Sequence, residues 1–133
     1  MSILDTILLV DDDKINNFIN QRLIKKLKVA QHVMVTTNGE EGLNYIKENC
    51  RTGRKCPDLI LLDINMPVMD GFDFIRYFEE MDYQNKEKTK IIILTTSKNT
   101  KDLETIKALG DFGFINKPLT EEKLFNCLTH TTS

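Results

Sequence analysis

The chain has 133 residues, enough for one domain with a substantial buried core. Hydrophobic content of 41% against 29% charged residues is ordinary for a folded domain, and 18 basic against 20 acidic residues give a net charge of -2, which argues against a surface built for nucleic acid. Met1 to Asp5 has no basic region ahead of an apolar core and no stretch approaches about eighteen apolar residues, so neither a signal peptide nor a membrane span is expected and the chain reads as cytoplasmic.

Three Pro, six Gly, no repeat and no low-complexity run predict a single domain over residues 1–133. Cys50, Cys56 and Cys127 fit no Cys-x-x-Cys pattern. Cys50 and Cys56 could face each other across Arg51 to Lys55, but a reducing cytosol favours free thiols.

Thr6 to Val10 predicts a short strand, followed at once by Asp11, Asp12 and Asp13. Ile15, Phe18, Ile19, Leu23 and Leu27 then recur at spacings of three and four, the stripe of an amphipathic helix ending near Lys28 and expected to face the core, with Asp13 placed to cap it. His32 to Thr37 is a second strand, and Asn38-Gly39-Glu40-Glu41 resembles a capping box opening a second helix that carries Leu43 and Ile46 and stops near Cys50. Arg51 to Lys55 reads as a solvated basic turn.

Leu59 to Leu62 is an unbroken apolar run ending in Asp63, the pattern of a strand buried on both faces of a parallel sheet. Asp70 caps a third helix whose Phe72, Ile75, Phe78 and Met81 point inward, and Asp82 to Lys88 is a polar loop. Lys90 to Leu94 is a fourth strand leading into Thr95-Thr96-Ser97. Leu103, Ile106 and Leu109 mark a fourth helix stopped by Gly110, Gly113 to Asn116 a short fifth strand, and Thr120 opens a last helix with Leu124, Phe125 and Leu128 inside. Five alternations of strand and helix predict an α/β fold with a parallel sheet wrapped on both faces. Periodicity alone leaves the strand order open.

In such a fold the strand C-termini share one edge, the usual place for a functional crevice. Asp11, Asp12, Asp63, Thr95 and Lys117 all fall there. Each alone has an ordinary explanation: acids after a strand are commonly solvated, Asp63 or Thr95 could cap a local turn, and Lys117-Pro118 is a common loop dipeptide. Together they are hard to explain that way. Several carboxylates in one crevice call for a hard divalent cation, and Mg²⁺ suits oxygen ligands. With an ammonium and a hydroxyl added, the set matches the spread negative charge of a phosphoryl group in transfer, for which an aspartate can serve as nucleophile.

Leu8-Leu9-Val10-Asp11-Asp12, Leu62-Asp63-Ile64-Asn65-Met66-Pro67-Val68-Met69-Asp70-Gly71, Ile93-Leu94-Thr95 and Phe114-Ile115-Asn116-Lys117-Pro118 resemble the signature blocks of response-regulator receiver domains of two-component systems, over essentially the whole chain. The resemblance is to stand-alone, chemotaxis-regulator-like members. It implies a flavodoxin-like, doubly wound five-stranded sheet of order 2-1-3-4-5 with five helices. It also implies Asp63 as phosphoacceptor for a histidine kinase or histidine phosphotransfer protein. Mg²⁺, or Mn²⁺, would be held by Asp12, Asp63 and the Asn65 carbonyl, with Asp11 acting through water. Thr95 and Lys117 would contact the phosphoryl group, and a cis Lys117-Pro118 bond is implied. Phe114 resembles the family's switch aromatic, coupled to Thr95 and to a protein-binding face of the fourth helix, fifth strand and fifth helix. Its ordinary alternative is a fixed core aromatic. Asn65 and Ser97 resemble positions that tune aspartyl-phosphate lifetime.

The expectation is therefore a signalling switch without an output domain and not a turnover enzyme, acting through a protein or as a relay intermediate. A haloacid-dehalogenase-type phosphohydrolase is a rival, but position 65 is Asn where those enzymes resemble Asp-x-Asp. A receiver-like scaffold that is never phosphorylated would be expected to lack part of the Asp11, Asp12, Asp63, Thr95 and Lys117 set.

Overall fold

The structure is a computed structural model that describes residues 4–52, 55–66, 68–96, 104–105, 107–108, 110 and 112–130. Its elements are β1 (Leu4–Val10), α1 (Lys14–Leu27), β2 (Ala30–Thr36), α2 (Gly39–Thr52), β3 (Leu59–Asp63), α3 (Gly71–Glu80), a 3₁₀ turn (Lys86–Lys88), β4 (Lys90–Thr95), β5 (Gly113–Asn116) and a C-terminal helix (Glu121–His130). The strands form one parallel sheet of order β2-β1-β3-β4-β5, which is the flavodoxin-like order. The stripe Leu103, Ile106 and Leu109 lies outside the described residues, although Glu104, Thr105, Lys107 and Ala108 between them are helical.

The two-residue period of the central strands divides the core. Leu8, Val10, Ile60, Leu62, Ile91 and Ile93 face α2 and α3 and pack with Leu43, Ile46, Phe74, Ile75 and Phe78. Ile7, Leu9, Leu59, Leu61, Ile92 and Leu94 face the other way and pack with Ile24, Ile115 and Leu124. The unbroken apolar runs of β1, β3 and β4 follow from this, because both faces are covered.

Helix ends follow local chemistry. Asp13 accepts from the N–H groups of Ile15 and Asn16, Asp70 from that of Asp73, and Asn38 from that of Glu41. The Glu41 carboxylate reaches back to the N–H and hydroxyl of Thr37, one residue earlier than a capping box requires.

Two expectations fail. In α1 only the second half of the predicted stripe faces the core: Leu23 and Leu27 pack against it, but Ile15 is 71% exposed, Phe18 59% and Ile19 54%, while Asn17, Asn20 and Ile24 are buried. Periodicity identifies an apolar stripe but not the side the sheet will cover, and here the inward positions 17 and 20 are polar. Cys50 and Cys56 are not free thiols, because the chain brings their Cα atoms to 4.5 Å and joins them in a disulfide; Cys127 is free.

Gly71 opens α3 where the chain turns back against β3. Its N–H donates to the Ile64 carbonyl at 2.9 Å, and a Cβ here would lie 2.7 Å from the Ile64 Cα. Because the obstacle is backbone, Gly71→Ala should displace the loop after Asp63 and destabilise the protein by about 1–3 kcal/mol. Thermal unfolding followed by circular dichroism would measure this as a lowered Tm, and an unchanged Tm would refute the packing argument.

Candidate functional site

The parallel register carries the ends of β1, β3, β4 and β5 to one edge. β1 ends beside β3 with Val10 opposite Leu62, β3 beside β4 with Asp63 opposite Leu94, and β4 beside β5 with Thr95 opposite Asn116. The residues just beyond these pairs therefore meet, although they are separated by more than a hundred positions in sequence.

Asp11 and Asp63 are buried and Asp12 is exposed, and a carboxylate oxygen from each lies within 4.8 Å of the others. Lys117 reaches in from the loop after β5, its Nζ 3.1 Å from Asp63 Oδ1 and 3.3 Å from Asp11 Oδ2. The Lys117 N–H donates to the Thr95 carbonyl at 2.9 Å, and the Lys117-Pro118 bond is cis, as the resemblance implied. Thr95 is buried at the end of β4. The Asn65 N–H donates to Asp63 Oδ1 at 3.3 Å.

One ammonium against three carboxylates leaves the crevice negative, and the ionisation of its members reflects this. Burial, and then repulsion from Asp11, raise the Asp63 carboxyl to about 6, against the opposing pull of Lys117 and the Asn65 N–H. Burial alone would lower the Lys117 ammonium, but Asp63 and Asp11 outweigh it and hold the group above its ordinary value. The donor set is made of oxygen alone, with neither imidazole nor thiolate in the cluster. Such a set fits a hard divalent cation, and an acidic pocket of this kind could hold Mg²⁺.

The structure thus gathers Asp11, Asp12, Asp63 and Lys117 directly and seats Thr95 and Asn65 at the ends of the strands beside them. Phe114 lies on edge strand β5 and is 37% exposed. Pro67 and Ser97 lie outside the described residues.

Sequence reasoning missed Asn17. Its amide Nδ2 donates to the Asp11 carbonyl at 2.7 Å, and among the described residues its buried Oδ1 has no hydrogen-bond partner. Asn17 fixes the backbone that presents Asp11 and ties α1 to the site. The signal in the sequence is the polar pair Asn17 and Asn20 in line with Ile24 along one helical face, beside the larger apolar side chains of the neighbouring stripe.

The response regulator receiver domain family matches residues 7–129. The chain is 36% identical over 123 residues to the probable C4-dicarboxylate response regulator DctR of Halalkalibacterium halodurans, covering 92% of this chain and 49% of that protein. It is 34% identical over 123 residues to two-component response regulator 24 of Arabidopsis thaliana, covering 92% of this chain and 81% of that one. A two-component response regulator from Cytophaga hutchinsonii has a solved structure that superimposes with a TM-score of 0.85 at 30% identity, covering 98% of each chain. The chain therefore spans about half the length of the first of these relatives and most of the second. With the sheet order, the acidic crevice and a match over nearly its whole length, the chain belongs to the response regulator receiver domain family, whose members are phosphorylation-dependent signalling switches.

Proposed function

We propose that this chain accepts a phosphoryl group on Asp63 from a histidine kinase or histidine phosphotransfer protein. The observation that carries the reading is the ion pair of Asp63 with Lys117 in a crevice shared with Asp11 and Asp12. Oδ of Asp63 attacks phosphorus, the bond from phosphorus to the donor's imidazole nitrogen breaks, and an acyl phosphate forms. Lys117, already at hydrogen-bond distance, balances the added negative charge, and the Thr95 hydroxyl supplies a further donor to the phosphoryl oxygens. Asp12, Asp63 and the Asn65 carbonyl would hold Mg²⁺, with Asp11 holding it through water. When bound, that ion offsets the charge of the carboxylates and the incoming phosphoryl group.

In this reading the domain works as a switch and not as a turnover enzyme and is placed in the cytoplasm. No helix among the described residues is long and apolar enough to cross a membrane. The signal leaves through Thr95 and Phe114: drawing Thr95 toward the phosphoryl group frees space for the Phe114 ring, which changes the surface formed by β5 and the helices on either side of it. A downstream protein reads that surface. The donor docks elsewhere, on the apolar patch Ile15, Phe18 and Ile19 that α1 exposes beside the crevice. That patch lies directly after the site acids Asp11 and Asp12.

Intact-protein mass spectrometry after incubation with a small acyl phosphate and Mg²⁺ should show one phosphoryl group on the wild type and none on Asp63→Asn or after chelation; equal uptake by Asp63→Asn would exclude this acceptor. Alanine at Ile15, Phe18 and Ile19 should leave that labelling unchanged and slow transfer from the phosphorylated histidine kinases of the source cell; equal transfer rates would put the docking face elsewhere.

Ionisation gives a third test. The folded Asp63 carboxyl sits at about 6 against an ordinary 3.8, so between these values the folded state binds more protons than the unfolded one. Its contribution favours folding at low pH and is lost as pH rises through about 6. In chelator, Asp63→Asn should therefore raise Tm at about pH 7 and gain little at about pH 4. A variant less stable than wild type at about pH 7 would mean that the Lys117 ion pair outweighs burial and repulsion.

A further inference from the structure

The pole of the sheet opposite the crevice carries chemistry that phosphoryl transfer does not use. Cys50, in the last turns of α2, is 5% exposed and packs in the core between the sheet, α2 and α3. Cys56, on the lead-in to β3, is only partly covered, and the two are joined. The same junction is held independently of sulfur. The Tyr45 hydroxyl donates to the Lys55 carbonyl at 2.8 Å, and Thr89 Oγ1, which receives the Tyr83 hydroxyl at 2.9 Å, donates to the Pro57 carbonyl at 2.9 Å. These contacts act on the junction alongside the disulfide.

A disulfide whose junction is also held by hydroxyl-to-carbonyl hydrogen bonds, in a chain read as cytoplasmic, points to a reversible pair. A groove of about 410 Å³ between the ends of α2 and α3 has Cys50 in its wall, so the sulfur of Cys56 bonded to it lies next to the groove although Cys56 does not line it; Lys47 and Arg51 contribute cationic groups and Asp82 one acid. Its net positive lining suits a small anionic thiol or disulfide.

We propose that Cys50 and Cys56 form a reversible thiol–disulfide site that exchanges with anionic low-molecular-weight disulfides of the glutathione type. This rests on the cytoplasmic placement proposed above. In the oxidising direction the Cys56 thiol loses its proton and its thiolate attacks one sulfur of the small disulfide, giving a mixed disulfide and one small thiolate. Cys50, deprotonated in turn, attacks the Cys56 sulfur, forms the Cys50–Cys56 bond and expels the second small thiolate. The two protons end on the two small thiolates, and two electrons pass from the cysteine pair to the small disulfide. Cys56 is the attacking group because it is the more accessible and follows Lys55. Cys50 resolves, because it is buried and the small disulfide meets the more accessible Cys56 first.

The test equilibrates the purified full chain in buffers of graded oxidised-to-reduced glutathione ratio, quenches with acid, blocks free thiols with a maleimide and weighs the intact protein. A single two-electron step is expected, from three blocked thiols to Cys127 alone, with Cys50→Ser trapping glutathione on Cys56 and Cys56→Ser trapping none on Cys50. A pair that stays oxidised across the whole series is a fixed structural disulfide, and one that stays reduced is not an exchange site. Either result overturns the proposal, and neither depends on variants that might fold poorly. Labelling Asp63 with a small acyl phosphate in both oxidation states separates this proposal from the phosphoacceptor reading: failure to label leaves the redox result standing. Fractionation of the source cell tests the cytoplasmic placement separately; recovery of the chain from an oxidising compartment would remove the ground for reversibility.

Discussion

The structure depends on placing like charges where they repel. Asp11 and Asp63 are buried within reach of each other because the parallel register of β1 and β3 ends both strands at one level. Lys117, bound to both, relieves part of the repulsion. Burial, and after it the repulsion that remains, hold the Asp63 carboxyl above its ordinary range. A crevice in this condition favours whatever brings positive charge and gives any change in charge at Asp63 a direct route to β4 and β5, since the backbone of Lys117 is bonded to that of Thr95.

The same edge explains the inversion of α1. Asn17 lies inward because its amide meets the Asp11 carbonyl, and Asn20 and Ile24 follow on that face. A helix held by a polar contact at its first turns leaves the apolar side chains of those turns outside, while Leu23, Ile24 and Leu27 further along pack on the core. Ile15, Phe18 and Ile19 consequently border the site, and Arg22 lies over the Phe18 ring at 5.7 Å. An apolar surface of this size beside a charged crevice is suited to contact with another protein.

The opposite pole obeys different physics. There the chain is closed by hydroxyl-to-carbonyl contacts from Tyr45 and Thr89 and by the pairing of Cys50 with Cys56. Because the strands run parallel, their two ends are separated by the full length of the sheet. Chemistry at the sulfur pole and chemistry at the carboxylate pole can proceed without sharing a side chain.

Most of the fold and the residue types of the site were legible in the sequence, because both depend on features that lie close together along the chain. The apolar runs, caps and turns mark each element, and a residue that follows a strand in sequence also follows it in space. The signature blocks supplied the strand order that periodicity left open. The tertiary structure alone decided what depends on partners distant in sequence. These are the face of α1 that is buried, the role of Asn17, the joining of Cys50 to Cys56, and the burial, repulsion and ion pairing that act on Asp63. A stripe or a cysteine carries its own chemistry in the sequence, but which neighbour it meets is determined only when the strands align.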